Sequence, residues 1–322
     1  MTGALEARHA CLRFRAQLNA LLRSFFAARG VVEVETPVLS RAGNTDPNIA
    51  SFSVQFSGPV SAGPRQRWLR TSPEFPLKRL LAEGFGDCYE LGRVFRDGEA
   101  GGRHNPEFTM LEWYRVGWTH LQLMDETIAL VQAARALAGQ APATVRVLDF
   151  ASLYREALGI DAQSDSLDVL LAAMGDVQIN GDGLNRDDWL DLLMTHRLQP
   201  AFDSDAITVI HDYPASQSAL ARIRPSHPPV AERFELYLGS FELANGYHEL
   251  NDAAEQRERF ERDQRVRRER GALCPPIDHH LLQSLPDLPN CAGVAIGVDR
   301  LLMALLGRSQ ISDVLVYGFP QA

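Results

Sequence analysis

Two strand-like segments joined by a polar loop constrain the fold of this chain more than any other feature. Residues 88–95 and 107–116 both have strand character, and the loop between them, 96–105, carries glycines and charged residues. Two strands joined by a loop of this length predict an antiparallel hairpin with a long tip. We therefore expect the core of the fold to be an antiparallel sheet.

The other segments predict helices and further strands around that hairpin. Apolar residues recur at helical spacing from Leu18 to Phe26, and Gly30 ends the pattern. Further helical patterns cover 77–84, 121–138, 153–158, 167–174, 189–198, 254–270 and 301–305. Strand patterns cover 31–35, 68–70, 207–210, 234–238, 241–245 and 292–297. The sequence predicts an α/β (α+β) fold, an antiparallel sheet flanked by helices, as one domain over 1–322 with a helical insertion at about 140–205.

Composition limits the classes of function. The chain has 322 residues and a net charge of -9, whereas stable binding to nucleic acid normally needs a basic surface. It has neither the run of roughly 18–20 apolar residues of a membrane span nor the N-terminal pattern of a signal peptide. Its four scattered cysteines favour neither a zinc site nor disulfides. We expect a cytoplasmic protein without membrane attachment. Lys78 is the only lysine, which genome composition explains most simply.

Two arginines occupy positions suited to phosphate. Arg96 follows the first hairpin strand, and Arg300 lies in the first turn of a helix that follows the small-residue segment 293–297. Small residues let a ligand approach the backbone closely, and an arginine fork matches phosphate oxygens in a bidentate way. Either arginine alone is more often a surface or ion-pairing residue, so the prediction depends on the features around them.

Acidic and aromatic residues add candidate ligands. Glu242 and Glu249 are seven residues apart, and if the chain turns back near Gly246, both carboxylates can converge on Mg²⁺. The alternative is two solvated acids. On the second hairpin strand, Phe108, Met110, Glu112 and Tyr114 alternate onto one face. There Phe108 can stack on a base while Glu112 and Tyr114 hold an amine, although Phe108 is as often a core residue.

Histidines and basic runs carry weaker signals. His104 and His248 lack a second histidine at ligand spacing, so a metal role is not expected for either. The arginines of segment 257–270 alternate with acids, which is typical of a solvated, salt-bridged helix. Neither a nucleophile-elbow motif nor a phosphate-binding glycine loop supports a hydrolase, a P-loop enzyme or a dinucleotide-binding fold.

Together these motifs resemble the class II aminoacyl-tRNA synthetases over almost the whole chain, about 10–320. The segments 32–37, 95–109 and 293–300 resemble motifs 1, 2 and 3, in that order. Segments 71–74 and 242–252 resemble the lysyl-tRNA synthetase subgroup. Several separate motifs in the right order are far more specific than any one of them.

The resemblance implies a role for each matched residue. Arg96 and Arg300 would be the catalytic phosphate clamps. ATP would be held by Arg96, Asp97, Gly98, Glu99, Asn105, Phe108, Glu242, Leu243, Gly297 and Arg300. The amino-acid substrate would be held by Ser72, Pro73, Glu74, Glu112, Tyr114, Asn245, Glu249 and Ala295. Glu242 and Glu249 would hold Mg²⁺.

Departures from the subgroup indicate a subfamily. Motif 1 begins within the first 40 residues, so the OB-fold domain that reads the anticodon is not expected, and Ala295 stands where those synthetases usually have glycine. Both features resemble the elongation factor P–(R)-β-lysine ligases. That family uses ATP and Mg²⁺ to join (R)-β-lysine to a lysine ε-amino group of elongation factor P. The resemblance also implies a homodimer and no stable tRNA binding. Glu99 lies one position later than the glutamate expected after Arg96.

Three alternatives remain open at the level of sequence. A minimal lysyl-tRNA synthetase has the same chemistry but needs tRNA binding. A non-catalytic paralogue that senses an amino acid tends to lose the catalytic arginines or metal carboxylates, whereas this chain has all four. An amide-forming synthetase for a free metabolite, such as asparagine, shares the predicted fold and differs in its acceptor.

Overall fold

A computed structural model of the chain describes residues 2–177, 179, 181 and 183–322. These residues form two compact units: unit 1 consists of Met1–Trp118 and Leu250–Ala322, and unit 2 consists of Thr119–Glu249. Positions 178, 180 and 182 of the predicted insertion lie outside the described residues. The assignment of 1–322 to a single catalytic domain stays a prediction.

Unit 1 combines a mixed sheet, a small antiparallel sheet and helices. Its larger sheet has the order β1-β5-β6-β12, with β1 (Val32–Glu33), β5 (Cys88–Phe95), β6 (Glu107–Val116) and β12 (Cys291–Gly297). The small sheet has the order β2-β4-β3, with β2 (Leu39–Ser40), β3 (Ser53–Gln55) and β4 (Gln66–Leu69). The helices are α1 (Thr2–Ala27), α2 (Glu74–Ala82), α7 (Ala253–Glu269), α8 (His279–Ser284) and α9 (Val298–Leu305).

The predicted hairpin is confirmed with its predicted bounds. Strands β5 and β6 pair antiparallel from Cys88 opposite Tyr114 to Phe95 opposite Glu107. One face of the hairpin packs on α1, where the Phe26 ring stacks on Tyr89 at a centroid distance of 4.4 Å and lies 5.2 Å from the Trp113 ring. Because side chains alternate along a strand, the neighbouring residues face the other way. That second face carries the polar residues of the candidate site.

Unit 2 combines a sheet of order β11-β10-β8-β7 with helices α3–α6. Its strands are β7 (Val145–Asp149), β8 (Ile207–Pro214), β9 (Ile223–Arg224), β10 (Val230–Leu238) and β11 (Phe241–His248), and β9 pairs with β10. Its helices are α3 (His120–Leu137), α4 (Phe150–Leu158), α5 (Leu167–Ala173) and α6 (Arg186–Leu193). A core cluster that includes Phe150, Tyr154, Leu193 and Tyr213 packs α4–α6 against this sheet.

Most predicted elements are present, and the differences have local causes. Strand β1 spans two of the five predicted residues: Val32 and Glu33 pair with Cys88 and Tyr89 of β5, and Val34 adds one backbone hydrogen bond to Tyr89 before the chain reaches Pro37. Strand β7 lies within the segment predicted to be helical and pairs parallel with β8. The predicted α/β fold with a largely antiparallel sheet flanked by helices is confirmed. Within the described residues, we find no helix with the length and apolar character of a membrane span.

Candidate active site

Two buried carboxylates lie side by side on the polar face of the hairpin. Glu90 on β5 is directly opposite Glu112 on β6, and each is 3% exposed. On the other side of β6, Ala295 of β12 is directly opposite Glu112. Adjacent buried carboxylates repel each other and lose their hydration, so each needs a cation, hydrogen-bond donors or a proton.

Arg70 is the cation for Glu90. Its guanidinium lies 2.5 Å from the Glu90 carboxylate and donates to the Thr36 hydroxyl at 2.8 Å, and that hydroxyl in turn donates to Glu90 at 2.7 Å. Gly92 leaves room for this arrangement, because a Cβ there would come within 2.5 Å of Arg70. Neither Arg70 nor Glu90 was predicted from the sequence. The available signal was an acid between the apolar residues Tyr89 and Leu91 of the strand Cys88–Phe95.

Glu112 is held by neutral donors. The Ser72 hydroxyl donates to Glu112 Oε2 at 2.6 Å, and the Tyr114 hydroxyl donates to Oε1 at 2.8 Å. Burial, followed by the charge of Glu74, raises the pKa of Glu112 to about 7, against the opposing effects of the two hydroxyls and Lys78. The structure therefore brings the predicted substrate residues Ser72, Glu74 and Tyr114 around the carboxyl of Glu112, which titrates near neutral pH.

Glu74 belongs to the same cluster through α2. Its backbone N–H donates to the Ser72 hydroxyl at 2.9 Å, so Ser72 links the start of α2 to Glu112. Lys78, one turn later, donates to Glu74 Oε1 at 2.5 Å and is 1% exposed. The Ser72 hydroxyl accepts the amide of Glu74, and Pro73 occupies the position directly before the helix. Ser72 and Glu74 also line a cavity of about 470 Å³.

The predicted phosphate residues of the hairpin loop lie together at its base. The Arg96 guanidinium carbon is 5.2 Å from the centre of the Phe108 ring, and Arg96 Nη1 is 3.6 Å from Glu99 Oε1. Asp97 donates its backbone N–H to Ala50 at 2.9 Å, and Gly98 adopts a φ of 79°. Glu99, which lies one position later than the glutamate of the family pattern, therefore pairs with Arg96.

Arg300 contacts the tip of the hairpin loop. Its Nη2 is 2.5 Å from Nε2 of His104. Burial and then the charge of Arg300 lower the pKa of His104, so its imidazole is neutral and accepts from the guanidinium. Gly297 precedes α9, and a Cβ there would lie 3.8 Å from the Arg300 side chain.

Asp299 fixes the start of α9, and the sequence analysis did not identify it. It is 1% exposed, accepts the backbone N–H of Thr109 at 2.6 Å and forms an ion pair with Arg15. This carboxylate joins the segment that precedes Arg300 to strand β6, so the orientation of Arg300 depends on it.

Asn105 fastens the same loop. Its Nδ2 donates to the carbonyl of Glu107 at 2.7 Å, and its Oδ1 accepts the backbone N–H of Phe319 at 3.0 Å. The side-chain amide thus has backbone partners at both ends. A contact of Asn105 with ATP stays a prediction.

In unit 2, the predicted turn at Gly246 is wrong. Gly246 lies inside the continuous strand β11, directly opposite the buried Phe234 of β10. Glu242 and Glu249 therefore belong to one extended segment. Leu243 forms a bulge in the pairing with β10, and that extra residue places the two carboxylates on the same face despite their odd spacing.

The same face of β11 carries Asn245. Its Oδ1 accepts from Arg233 Nε at 3.1 Å, and Arg233 also forms an ion pair with Glu235. Glu249 is 1% exposed and Leu243 is 3% exposed. Asn245 is thus oriented by a charged neighbour that the sequence analysis did not single out.

A second polar cluster of unit 2 contains two histidines that are far apart in sequence. His120 Nε2 lies 3.3 Å from Asp212, and His248 Nδ1 donates to Glu232 at 2.5 Å. His120, Glu232 and His248 have the proximity of metal ligands. Arg224, however, donates to Asp212 at 2.6 Å and lies 3.4 Å from Glu232. Its guanidinium already balances these carboxylates, so we assign the cluster a structural role.

Asp212 is the residue of that cluster with the most strongly shifted pKa. Burial acts to raise its pKa, but hydrogen bonds from His120, His211 and Arg224 outweigh burial and hold the pKa well below its usual range. Asp212 also adopts a φ of 56°, which is uncommon for a residue with a side chain. The contacts of its carboxylate compensate for this backbone conformation.

The fold and these residues define a class of protein. The chain matches the family described as tRNA synthetases class II (D, K and N) over residues 4–321, and it belongs to that family. A neutral-titrating acid beside two hydroxyls and a pair of arginines on separate segments agree with a ligase that activates an amino acid.

Particular relatives narrow the comparison. The chain is 44% identical over 315 residues to the elongation factor P–(R)-β-lysine ligase of Vibrio cholerae, a match that covers 97% of this chain and 96% of the relative. It is 44% identical over 310 residues to the ligase of the same name from Yersinia enterocolitica, covering 94% of this chain and 93% of that protein. The corresponding ligase of Mannheimia succiniciproducens is 43% identical over 310 residues, covering 96% and 94%.

Proposed function

We propose that this chain activates (R)-β-lysine with ATP and transfers it to the ε-amino group of a lysine on elongation factor P. The observation that carries the proposal is the buried Glu112 with its two hydroxyl donors, a site for an amine on the sheet face of a class II synthetase fold. The names of the relatives supply the isomer and the acceptor, and the matches run over nearly the full length of both chains.

Recognition of the substrate follows from charge. An ammonium that enters beside Glu112 replaces lost hydration with a charge-assisted hydrogen bond, which is stronger than a neutral one. Ser72 and Tyr114 orient the carboxylate by donating to its two oxygens. Ala295 borders this position from β12, so its methyl group limits where the substrate chain lies.

The reaction needs positioning rather than a covalent nucleophile. A substrate carboxylate oxygen attacks the α-phosphorus of ATP, and pyrophosphate leaves. The acceptor amine then attacks the carbonyl carbon of the adenylate, AMP leaves, and the amine gives up a proton. Arg96 and Arg300 hold phosphate oxygens through this sequence, and Phe108 stacks on the adenine. Fixed arginines stabilise developing charge without reorganisation during the reaction.

Glu242 and Glu249 are the proposed magnesium residues of unit 2. Mg²⁺ prefers carboxylate oxygens together with substrate phosphates, and the bulge at Leu243 puts both carboxylates on one strand face. An ion held by Glu242 and Glu249 would supply positive charge to neutralise phosphate oxygens. The family implies ATP use, and this donor set fits the ion that accompanies it.

A homodimer is part of the proposal. The motif 1 segment and the residues that follow it expose apolar side chains, with Val32 49% and Leu39 52% exposed. Large exposed apolar surfaces are typical of an interface. Sedimentation should give a mass twice that of one 35.7 kDa chain, and a monomer would remove this part of the proposal.

The function is tested by acylation with two acceptors in parallel. Purified elongation factor P and tRNA are each incubated with the enzyme, ATP and Mg²⁺, with α-lysine or (R)-β-lysine as substrate. Intact mass measures the protein acceptor, and acid-gel electrophoresis measures the tRNA. We expect mass to be added to elongation factor P with β-lysine preferred, and uncharged tRNA throughout.

Each of the other outcomes would support a different function. Charging of tRNA alone would make the chain a small lysyl-tRNA synthetase. If neither acceptor is labelled and no pyrophosphate is exchanged into ATP, the result would favour a protein that senses an amino acid. An acceptor lysine replaced by arginine is the matched control, because it keeps the charge and removes the amine that is acylated.

A further inference from the structure

Three carboxylates and two cations meet in the substrate pocket of unit 1. Glu90 has Arg70 at 2.5 Å, and Glu74 has Lys78 at 2.5 Å. Glu112 accepts only from the hydroxyls of Ser72 and Tyr114, and among the described residues it forms no ion pair within 4.0 Å. Within this group of five side chains there is one carboxylate more than there are cations, and Glu112 is the carboxylate for which the described residues provide no ion pair.

We infer that Lys78 is a positioning residue for substrate recognition: its buried ammonium fixes Glu74 and offsets the charge of that carboxylate, so that Glu112 can ionise and receive the substrate amine. The inference rests on the proposed function, because it concerns the pocket in which the lysine isomer binds. Lys78 acts through Glu74 and Glu112 and is not a catalytic residue.

The local geometry directs the Lys78 side chain to Glu74. Glu74 and Lys78 are separated by four residues on α2, a spacing that places their side chains on one face of the helix. Lys78 is 1% exposed, so the ammonium has left water and depends on the carboxylate it contacts. The ion pair with Lys78 holds the Glu74 carboxylate, while the backbone N–H of Glu74 donates to the Ser72 hydroxyl, which in turn donates to Glu112.

Composition makes this lysine unusual within the chain. All the other Lys and Arg residues, 32 in total with Lys78, are arginine. Whatever drives that preference, position 78 departs from it. A lysine ammonium is a compact point charge on a flexible stem, whereas a guanidinium is a broad planar fork.

The electrostatic consequence has a definite sign. Glu74 raises the pKa of Glu112 and Lys78 lowers it. Loss of the Lys78 charge leaves Glu74 uncompensated, so Glu112 holds its proton to higher pH and a neutral acid meets the incoming ammonium. The other groups facing Glu112 are Ser72 before α2, Tyr114 on β6 and, on β5, Cys88 and Glu90, the latter already paired. Ala295 on β12 contributes no charge.

The test uses a pair of variants of the full chain. Lys78→Gln removes the charge while keeping a donor that can reach Glu74, and Lys78→Arg keeps the charge at a larger size. The kcat/KM for (R)-β-lysine is measured by pyrophosphate exchange from pH 5.5 to 9. The inflection in such a profile reports ionisation in the free enzyme.

We expect the wild-type inflection near the pKa of Glu112, with kcat/KM rising as pH increases. In Lys78→Gln the inflection should move to higher pH, with KM at pH 7 raised about tenfold, the equivalent of one pKa unit, and kcat changed less. In Lys78→Arg the inflection should stay at the wild-type position even if the rate falls. A purely structural role would lower activity at all pH values and leave the inflection in place, which would overturn the inference.

A second measurement separates this inference from the proposed function. Selective ¹³C labelling of glutamate allows the Glu112 carboxyl to be titrated by NMR in the free enzyme, with Glu112→Gln used to assign its signal. A higher pKa in Lys78→Gln supports the inference even if the wild-type protein activates another amino acid. An unchanged pKa rejects it even if β-lysine is confirmed. If Lys78→Gln does not fold, Lys78→Met, which packs a stem of similar length, replaces it in both assays.

Discussion

Replacement of Ala295 by glycine should relax the preference for the β-isomer. Ala295 is directly opposite Glu112 in the pairing of β12 with β6, so the two Cβ atoms lie about 4.5–5.5 Å apart on one face. Removal of the methyl group opens space beside the carboxylate that receives the amine. In α-lysine, the amine nearer the carboxylate is one carbon closer to it than in β-lysine. The added space allows α-lysine to reposition its chain.

The magnitude follows from the size and surroundings of the group. One methylene typically changes discrimination between substrates by about 1–3 kcal/mol, or roughly 10–200-fold. Ala295 is only half-buried, and its neighbour Glu112 is polar, so the lower end of that range applies. We expect the ratio of kcat/KM for (R)-β-lysine over α-lysine to fall about tenfold. The strand itself should lose about 0.5–1 kcal/mol of stability to the glycine.

The assay is pyrophosphate exchange with each isomer, and Ala292→Gly is the matched control. Ala292 is on the same strand, but its odd spacing from Ala295 turns it to the opposite, fully buried face. The control should lose stability and keep the wild-type ratio. If Ala295→Gly is folded and its ratio is unchanged, the methyl group does not set the preference and this reasoning is wrong.

Three further outcomes are expected. Arg300→Ala should lower pyrophosphate exchange by about 10²–10³-fold, since it removes a fixed donor to developing phosphate charge. Arg308, which is exposed after the same helix, is the control, and Arg308→Ala should retain activity. Similar rates for the two variants would reject the role of Arg300 as a phosphate clamp. Glu242→Gln should raise the Mg²⁺ concentration needed for half-maximal exchange, and an unaltered Mg²⁺ titration would move the ion elsewhere. Asp212→Asn should lower the free energy of unfolding at pH 7 by about 1–3 kcal/mol. Because the folded pKa of Asp212 is lowered, its contribution is present above the unfolded value of about 3.9 and is lost as pH falls toward the folded value. Urea unfolding of variant and wild type should therefore converge in acid, and a constant difference would argue against the ion cluster.

Local pattern was enough to predict the hairpin but not its charge network. The bounds of β5 and β6 follow from alternation and from the polar loop, which are short-range signals. The pairing of Glu90 with Arg70 joins residues from different elements and is visible only when β4 and β5 are placed in space. Glu112 and Tyr114 were predicted from strand alternation and Ser72 and Glu74 from family resemblance, and their convergence is a result of the structure.

The glycine in β11 shows why the second carboxylate pair was harder. Glycine is common in turns, so the local sequence around Gly246 favours a turn. Its position inside a strand depends on pairing with β10, where its partner Phe234 lies twelve residues earlier in sequence. The bulge at Leu243 likewise depends on register, which a single strand does not specify. Glu242 and Glu249 were therefore identified as a pair with the wrong connection between them.

The burial of Lys78 also bears on side reactions. An acyl adenylate reacts with exposed amines in general, and an enzyme that makes one near its own surface lysines is exposed to its own product. This chain offers no other lysine, and Lys78 is 1% exposed and ion-paired. Its side chains therefore present no accessible ε-amine as a rival acceptor. Incubated with ATP and substrate alone, the protein should gain no acyl group on a side chain, and the activated amino acid remains for the intended lysine or for water.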